Sequence, residues 1–154
     1  MSCIRFNTPA QRAQMAAMAP SMITAEEAAA LHPSPPVTES KIYRLHLLAD
    51  DSNPKIRESA ASSYHAPAEL FARLARDPDA GVRACVARNE AAPCDVLRDL
   101  AHDESDTVRG WVAVNFSVPT DVMAELADDP SETVRGLVAW KSSLRSELQE
   151  SVNA

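Results

Sequence analysis

The clearest pattern in the chain is a set of apolar and charged positions that returns four times at an interval of 26 residues. Each copy has a Leu-Ala pair, an aspartate two residues after it, and an Ile-Arg or Val-Arg pair at a constant distance beyond the aspartate. A fixed period of this length is typical of stacked helical repeats, in which each unit buries its apolar face against its neighbours. The recurrent charged residues are Asp51, Asp77, Asp103 and Asp129, followed by Arg57, Arg83, Arg109 and Arg135.

Each unit is predicted to contain two short helices. The first is expected to open at a proline, which is favoured as an early helical residue, with an acidic residue near the positive end of the helix dipole. Two apolar residues at i, i+3 spacing then share one face, as Leu97 and Leu100 do. The first unit fits less well, because Lys41 stands where the proline would be, although Leu45 and Leu48 keep the apolar pair. The prolines of the other units are Pro67, Pro93 and Pro119.

The second helix of each unit is predicted to start near the recurrent aspartate. The dipeptides Asp77-Pro78 and Asp129-Pro130 have the form of an N-cap followed by a proline in the first turn. Apolar residues then recur at i, i+4 on the face expected to be buried, and an alanine follows that is small enough to let the next layer approach. An asparagine suits the end of this helix in two units. The alanines are Ala61, Ala87, Ala113 and Ala139, and the asparagines are Asn89 and Asn115.

The two ends of the chain differ from the repeats. Residues 143–154 place Leu144, Leu148 and Val152 on one face of a predicted helix whose other face is polar, as a terminal capping helix requires. Residues 1–37 lie outside the clear repeats and are expected to hold a short helix and a proline-rich linker. The predicted organisation is an N-terminal arm over residues 1–37 and a repeat domain over residues 38–154.

The repeat motif resembles that of the leucine-rich repeat variant family, an α-solenoid family of proteins. The closest copy starts at Val82-Arg83, continues through Val86-Ala87 to Asn89, and reaches Leu97 and Leu100. The resemblance extends over about residues 41–141. It implies short helices alternating in a right-handed superhelix. The predicted fold is therefore all-α, a right-handed α-solenoid of about four 26-residue two-helix repeats with a C-terminal capping helix.

Two features depart from the family pattern. The unit is longer than is usual for the family, so we expect longer turns or helices. Some relatives carry a cysteine-rich iron–sulphur module before the repeats, but this N-terminus offers only Cys3. We therefore expect no such cofactor in this chain.

The charge balance narrows the choice of partner. The formal net charge is −7, and between residues 95 and 135 ten acidic residues stand against three arginines. Phosphate backbones are bound through lysine and arginine, so this stretch is expected to repel nucleic acid. A basic segment of a partner protein is the occupant that the acidic stretch favours.

The sequence contains no pattern typical of a catalytic or metal site. Cys3, Cys85 and Cys94 are odd in number and lack CxxC spacing, so we expect reduced thiols in a cytoplasmic protein. The histidines share no repeat position, and no nucleophile-elbow, zinc or nucleotide-binding motif occurs. No run of 18 apolar residues is present, so no membrane-spanning segment is expected. We expect no metal, no cofactor and no enzymatic activity.

The aspartate and arginine positions form the only charged ladders in the repeats. One interpretation makes the arginines an anion-binding stripe. The other pairs each arginine with an aspartate of its own or the adjacent unit, where such partly buried pairs fix the register of stacking more than they add stability. The constant one-to-one offset favours the structural interpretation.

Positions that differ between the repeats are the better candidates for binding. One set of equivalent positions holds Ser62, Arg88, Val114 and Trp140, and another holds Ser59, Cys85, Trp111 and Leu137. Trp111 is expected in the core or half-buried, because it lies three residues after a core valine. Trp140 is expected near the surface, where tryptophan is enriched at binding hot spots, or else packed under the C-terminal helix. The candidate partner-binding residues are Arg88, Trp111, Val114 and Trp140.

Two glycines lie inside predicted helices, where glycine costs about 1 kcal/mol relative to alanine. Gly110 and Gly136 hold the same repeat position. The expected reason for them is a close approach of backbones within the stack.

Together these patterns predict a non-enzymatic protein–protein interaction module. The alternative is a nucleic-acid-binding or DNA-repair-like helical repeat protein, which would need a basic concave face. A homo-oligomer that packs through the ends of the array or through the N-terminal arm is a third possibility.

Overall fold

The computed structural model describes residues 37–152, and the side chains of residues 37–144. Over this range the chain forms eight helices and no strand, which confirms the all-α class. The predicted arm lies, apart from Val37, outside the described residues. The helices are α1 (Glu39–Ala49), α2 (Pro54–Ala61), α3 (Ala68–Leu74), α4 (Ala80–Arg88), α5 (Cys94–Leu100), α6 (Asp106–Val114), α7 (Thr120–Leu126) and α8 (Glu132–Val152).

Helices α2, α4, α6 and α8 pack one on the next in chain order. The shorter helices α3, α5 and α7 connect them, and each contacts the helix before it and the helix after it. Helices of seven to nine residues, such as α3 and α4, are marginal in isolation, so packing must supply most of their stability.

The core follows the predicted apolar positions. Val82, Val86, Val108 and Val112 have no exposed surface. The recurrent leucine is also buried in three units, as Leu74 at 2% exposure shows, but its equivalent at the start of the array, Leu48, is 38% exposed. The structure also buries a set of positions that the spacing did not single out. These are Leu70, Val96 and Val122.

The predicted N-cap at the recurrent aspartate is wrong. Helix α4 begins at Ala80, and its N-cap is Asp79, whose carboxylate accepts hydrogen bonds from the backbone of Gly81 and Val82. Asp77 instead accepts from the backbone N–H of Asp79 at 2.9 Å and so holds the loop before the helix. Asp129 binds the N–H of Ser131 in the same way, ahead of α8.

The first helix of each of these units starts one residue after its proline, so the prolines lie one position earlier relative to the helix than expected. Each is the N-cap of its helix in an extended conformation, rather than a residue of the first turn, as the backbone angles of Pro67 (φ −70°, ψ 158°) show. The same holds for Pro93 and Pro119. The missing N–H of proline is harmless at this position too, since the N-cap N–H makes no intrahelical bond.

The prediction of a separate C-terminal capping helix is also wrong. Helix α8 runs without a break from Glu132 to Val152, so the predicted cap is the continuation of the last second helix. The earlier units turn at an asparagine and a following proline, whereas the last one has Lys141 at the asparagine position and no proline after it. Nothing in this segment therefore forces the helix to end. The side chains of Leu148 and Val152 lie outside the described residues.

The asparagines end helices, as predicted, and they also join neighbouring units. Asn115 is the C-cap of α6, and its Nδ2 donates to the carbonyl oxygens of Ala87 at 2.7 Å and Asn89 at 3.1 Å, both in the preceding unit. Asn89 makes the equivalent bonds one unit earlier. Lys141 preserves the contact, because its ammonium donates to the carbonyls of Ala113 and Asn115.

The two helix glycines have different surroundings. A Cβ at Gly110 would lie 3.1 Å from Cδ1 of Leu137 on the next second helix, so the close neighbour is a side chain and not the backbone that was expected. A Cβ at Gly136 would meet nothing within 4 Å. The expectation of a close approach is therefore wrong for Gly136, which has no following unit beside it among the described residues.

Candidate interaction site

The charged ladders connect adjacent units. The guanidinium groups donate from Nε to an aspartate 20 residues further along the chain, at 2.7 Å in each of three pairs. The same arginines donate from Nη1 to two carbonyls of their own loop, as Arg83 does to Asp77 at 2.9 Å and Pro78 at 3.3 Å. The pairs are Arg57–Asp77, Arg83–Asp103 and Arg109–Asp129.

The side chains of these pairs are nearly buried. The hydrogen bond from Arg57 lowers the pKa of Asp77, although burial opposes the shift, and Arg109 lowers the pKa of Asp129 in the same way. No buried side-chain nitrogen or oxygen among the described residues lacks a hydrogen-bond partner. With their hydrogen-bonding capacity used internally, the three paired arginines are poor candidates for a ligand stripe.

The variable positions lie together in one groove. Arg88, Trp111, Val114 and Trp140, the four residues singled out from the repeats, line a single groove of about 300 Å³. Helices α4, α6 and α8 present them side by side, because equivalent positions of successive units lie next to each other. The remaining lining residues are Glu90, Asn115, Phe116, Lys141 and Leu144.

Trp111 lies at the centre of this surface. It is 37% exposed, so it is only partly covered, and Arg88 on α4 places its guanidinium carbon 5.5 Å from the centre of its ring. This is the geometry of a cation–π contact, which is worth about 0.5–1 kcal/mol at exposed sites. Trp111 also borders a second cavity of about 280 Å³, which Gly110, Val114 and Leu137 line with it.

The groove exposes large apolar side chains. Trp140 is 54% exposed and Phe116 is 84% exposed, which agrees with the expected surface position of Trp140. Leu144 follows one helical turn after Trp140 on α8 and is 37% exposed. Scattered exposed apolar residues are ordinary on a protein surface, but a contiguous cluster marks an interaction site.

Phe116 could have been found from the sequence, although it belongs to neither of the two sets of variable positions chosen above. Its equivalent positions hold Tyr64, Glu90, Phe116 and Ser142, which differ as widely as the sets that were chosen. Leu144 could not have been found in this way, because it reaches the groove only through the unbroken course of α8. Sequence reasoning placed it on a separate cap instead.

Fewer of the acidic residues between positions 95 and 135 are available to a partner than the composition indicates. Six of these ten acids form ion pairs among the described residues, including Asp121 with Arg98 and Glu125 with His102. The bond from Arg98 lowers the pKa of Asp121, and the pKa of His102 is raised by its contact with the Arg98 carbonyl and by Glu125. Much of the negative charge is therefore neutralised locally.

Two carboxylates flank the groove without an ion pair among the described residues. Glu90 lines the groove, and Asp106 lines the second cavity that Trp111 borders. Two cations also line the groove, namely Arg88, which stacks on Trp111, and Lys141, which binds two carbonyls. Contact with a ring and hydrogen bonds to carbonyls leave these positive charges in place, so the groove offers a ligand charges of both signs.

The described part of the chain holds no group of three or more His, Cys, Asp or Glu placed to bind a metal ion. Cys85 is half-buried and Cys94 is exposed. Among the helices of residues 37–152, none has the length and apolar character needed to cross a membrane. Comparisons of the chain with protein-family models, curated proteins and solved structures find no match, so no relative assigns a role to this groove.

Proposed function

We propose that this protein is a non-enzymatic interaction module of the leucine-rich repeat variant type, built as a right-handed α-solenoid of four units. Recurrent hydrogen bonds between units support the stacked arrangement. The Arg–Asp pairs and the asparagine contacts return at the repeat interval, and each joins one unit to its neighbour.

The groove across α4, α6 and α8 is the binding site in this proposal. The observation that carries it is the convergence of Trp111, Phe116 and Trp140, all more than a third exposed, on one apolar groove. Aromatic residues dominate the energetics of protein interfaces, and tryptophan most of all. A rigid aromatic surface of this kind costs little conformational entropy when it binds.

The occupant is a segment of a partner protein with an apolar or aromatic side chain between basic residues. The apolar side chain would enter beside Trp111 and Trp140. Glu90 and Asp106 would face the basic residues, because each lines a cavity that Trp111 borders and neither has an ion pair among the described residues. Such charges at an interface rim act mainly on association rate and specificity.

Intrinsic fluorescence gives a direct test. The chain contains only two tryptophans, and both line the groove, so a change in emission reports on the surroundings of these two residues. Peptides selected from a display library on the wild-type protein should change the emission on titration. Trp140→Ala should weaken them about 30-fold or more, as hot-spot truncation does.

The matched control is an equivalent aromatic outside the groove. Tyr64 holds the position of Phe116 two units earlier and is 67% exposed. Tyr64→Ala should leave the affinity unchanged, whereas Phe116→Ala should reduce it. Peptides that bind all variants equally would contradict the assignment of the groove. A salt-sensitive change in emission with a DNA oligonucleotide, and none with peptides, would favour the nucleic-acid alternative instead.

A further inference from the structure

Arg135 is the end of the arginine ladder and is only half satisfied. Its Nη1 donates to the carbonyls of Asp129 at 2.6 Å and Pro130 at 3.0 Å, as the other ladder arginines do in their own loops. Among the described residues, no carboxylate meets its Nε and Nη2 edge, the edge with which Arg109 grips Asp129. Arg135 is accordingly exposed, whereas Arg83 is buried.

Asp51 is the opposite end of the same ladder. Its carboxylate accepts from the N–H of Asn53 at 2.8 Å, and its carbonyl accepts from Arg57 at 3.0 Å. These are the bonds that Asp77 makes in its own loop, to Asp79 and Arg83. Asp51 therefore has the conformation that binds arginine elsewhere in the chain, but no described arginine reaches its carboxylate.

The apolar positions at the two ends are uncovered in the same way. Ala139 is exposed, while Ala61, Ala87 and Ala113 have no exposed surface. At the other end Leu48 is 38% exposed, while its equivalents are 2% exposed. Those equivalents are Leu74, Leu100 and Leu126. Each end of the array thus presents the half of a contact that the other end completes.

We propose that two copies of this chain associate head to tail, with Asp51 of the second copy bound by Arg135 of the first. Three internal pairs show which group the Nε and Nη2 edge of Arg135 donates to, namely the carboxylate of the recurrent aspartate in the loop before the second helix. Helices α1 and α2 of the second copy then cover the face of α8 that carries Arg135 and Ala139. The contact is heterologous, so it leaves a free end on each copy and permits open chains.

This association is separate from the proposed groove. It uses Arg135 and Asp51, which do not line the groove, and it survives if the groove binds nothing. The two proposals therefore fail independently.

Sedimentation velocity over a concentration series tests the contact in the full-length protein. The mean mass of the wild type should rise with concentration. Arg135→Glu alone and Asp51→Arg alone should each weaken association about 30-fold or more, as loss of one partner of an enclosed charge pair does. An equimolar mixture of the two variants should associate again, because the unaltered Asp51 of the first variant can bind the unaltered Arg135 of the second, and the two introduced charges are also opposite in sign.

Two further results would overturn the proposal. One is a wild type that stays monomeric up to its highest soluble concentration. In that case a lower stability of Arg135→Gln would show that another segment of the same chain occupies the site. The other is association that both charge variants retain, which would place the contact elsewhere. Failure of the mixed variants to associate, with each shown to be folded by circular dichroism, would count against the Arg135–Asp51 pair itself.

Discussion

Arg83 joins two loops that are one repeat apart. Its Nε donates to Oδ2 of Asp103 at 2.7 Å, while its Nη1 holds the carbonyl of Asp77, the equivalent aspartate of its own unit. The guanidinium is fixed on both sides, and it is nearly buried. A small slip between units would break the bonds to Asp103, while the bonds to its own loop keep the guanidinium in place, so the pair fixes the register in which the units stack.

The first prediction concerns removal of one member of this pair. Asp103→Ala should lower the free energy of unfolding by about 3 kcal/mol, because it leaves the enclosed Arg83 charge with only the exposed carboxylate of Glu104, 3.2 Å from its Nη2. Urea unfolding measures the effect. The matched control is the exposed pair of Arg98 and Asp121, where Asp121→Ala should cost much less, because solvent screens an exposed ion pair. Equal losses in the two variants would mean that enclosure of the pair does not matter.

The second prediction is an acid-dependent loss of stability. The pKa of Asp77 is lowered by Arg57 and that of Asp129 by Arg109. A carboxyl with a lowered folded-state pKa stabilises the fold above its unfolded pKa of about 4, and the stabilisation is lost as the pH falls through the folded value. We expect the free energy of unfolding to fall from about pH 4 downward. In the Asp77→Asn/Asp129→Asn variant the free energy of unfolding should be lower than in the wild type near pH 7. It should also depend less on pH in the acid range.

The third prediction identifies the core positions. Leu100 is 2% exposed, and Leu100→Ala should cost about 2–5 kcal/mol in denaturant unfolding, as is usual for a buried leucine. Leu47 on α1 is 54% exposed and gives the control. Leu47→Ala should change stability by about 0.5 kcal/mol or less. A loss below about 1 kcal/mol for Leu100→Ala would show that this position is not core.

The fourth prediction separates the two helix glycines. Gly136→Ala should stabilise the protein by about 0.5–1 kcal/mol, since helical glycine is costly and a Cβ there meets only open space. Gly110→Ala should gain less or lose stability, because its Cβ would press on Leu137 at 3.1 Å. Thermal unfolding of both variants provides the comparison. A stabilised Gly110→Ala with an unchanged Gly136→Ala would reverse the assignment.

The repeat interval was sufficient to predict the helices and most of the core. Apolar residues such as Val82 and Val108 had to be buried wherever the pattern placed them, because their spacing admits one helix face only. The start of the second helix was misplaced, since Asp77 and Asp79 are both good capping residues and the sequence alone does not rank them. The interaction of Asp77 with Arg57, 20 residues earlier, decides between them.

The groove was only partly predictable. Arg88, Val114 and Trp140 were found because they break the repeat, and their meeting follows from the side-by-side packing of the second helices. The contribution of Leu144 depends on the absence of a turn after Lys141, which local pattern did not reveal. Contacts between a repeated and a non-repeated segment have no period from which to predict them.

The hydrogen bonds between units have a consequence for folding. Within the described residues, none of them joins positions more than 28 residues apart. Each unit can therefore dock on its neighbour without waiting for distant parts of the chain, which favours fast folding that starts at any point of the array. We expect backbone amides of α4 and α6, which have partners on both sides, to exchange with deuterium more slowly than those of α1 and α2. Uniform protection from α1 to α6 would instead indicate a single all-or-none unit.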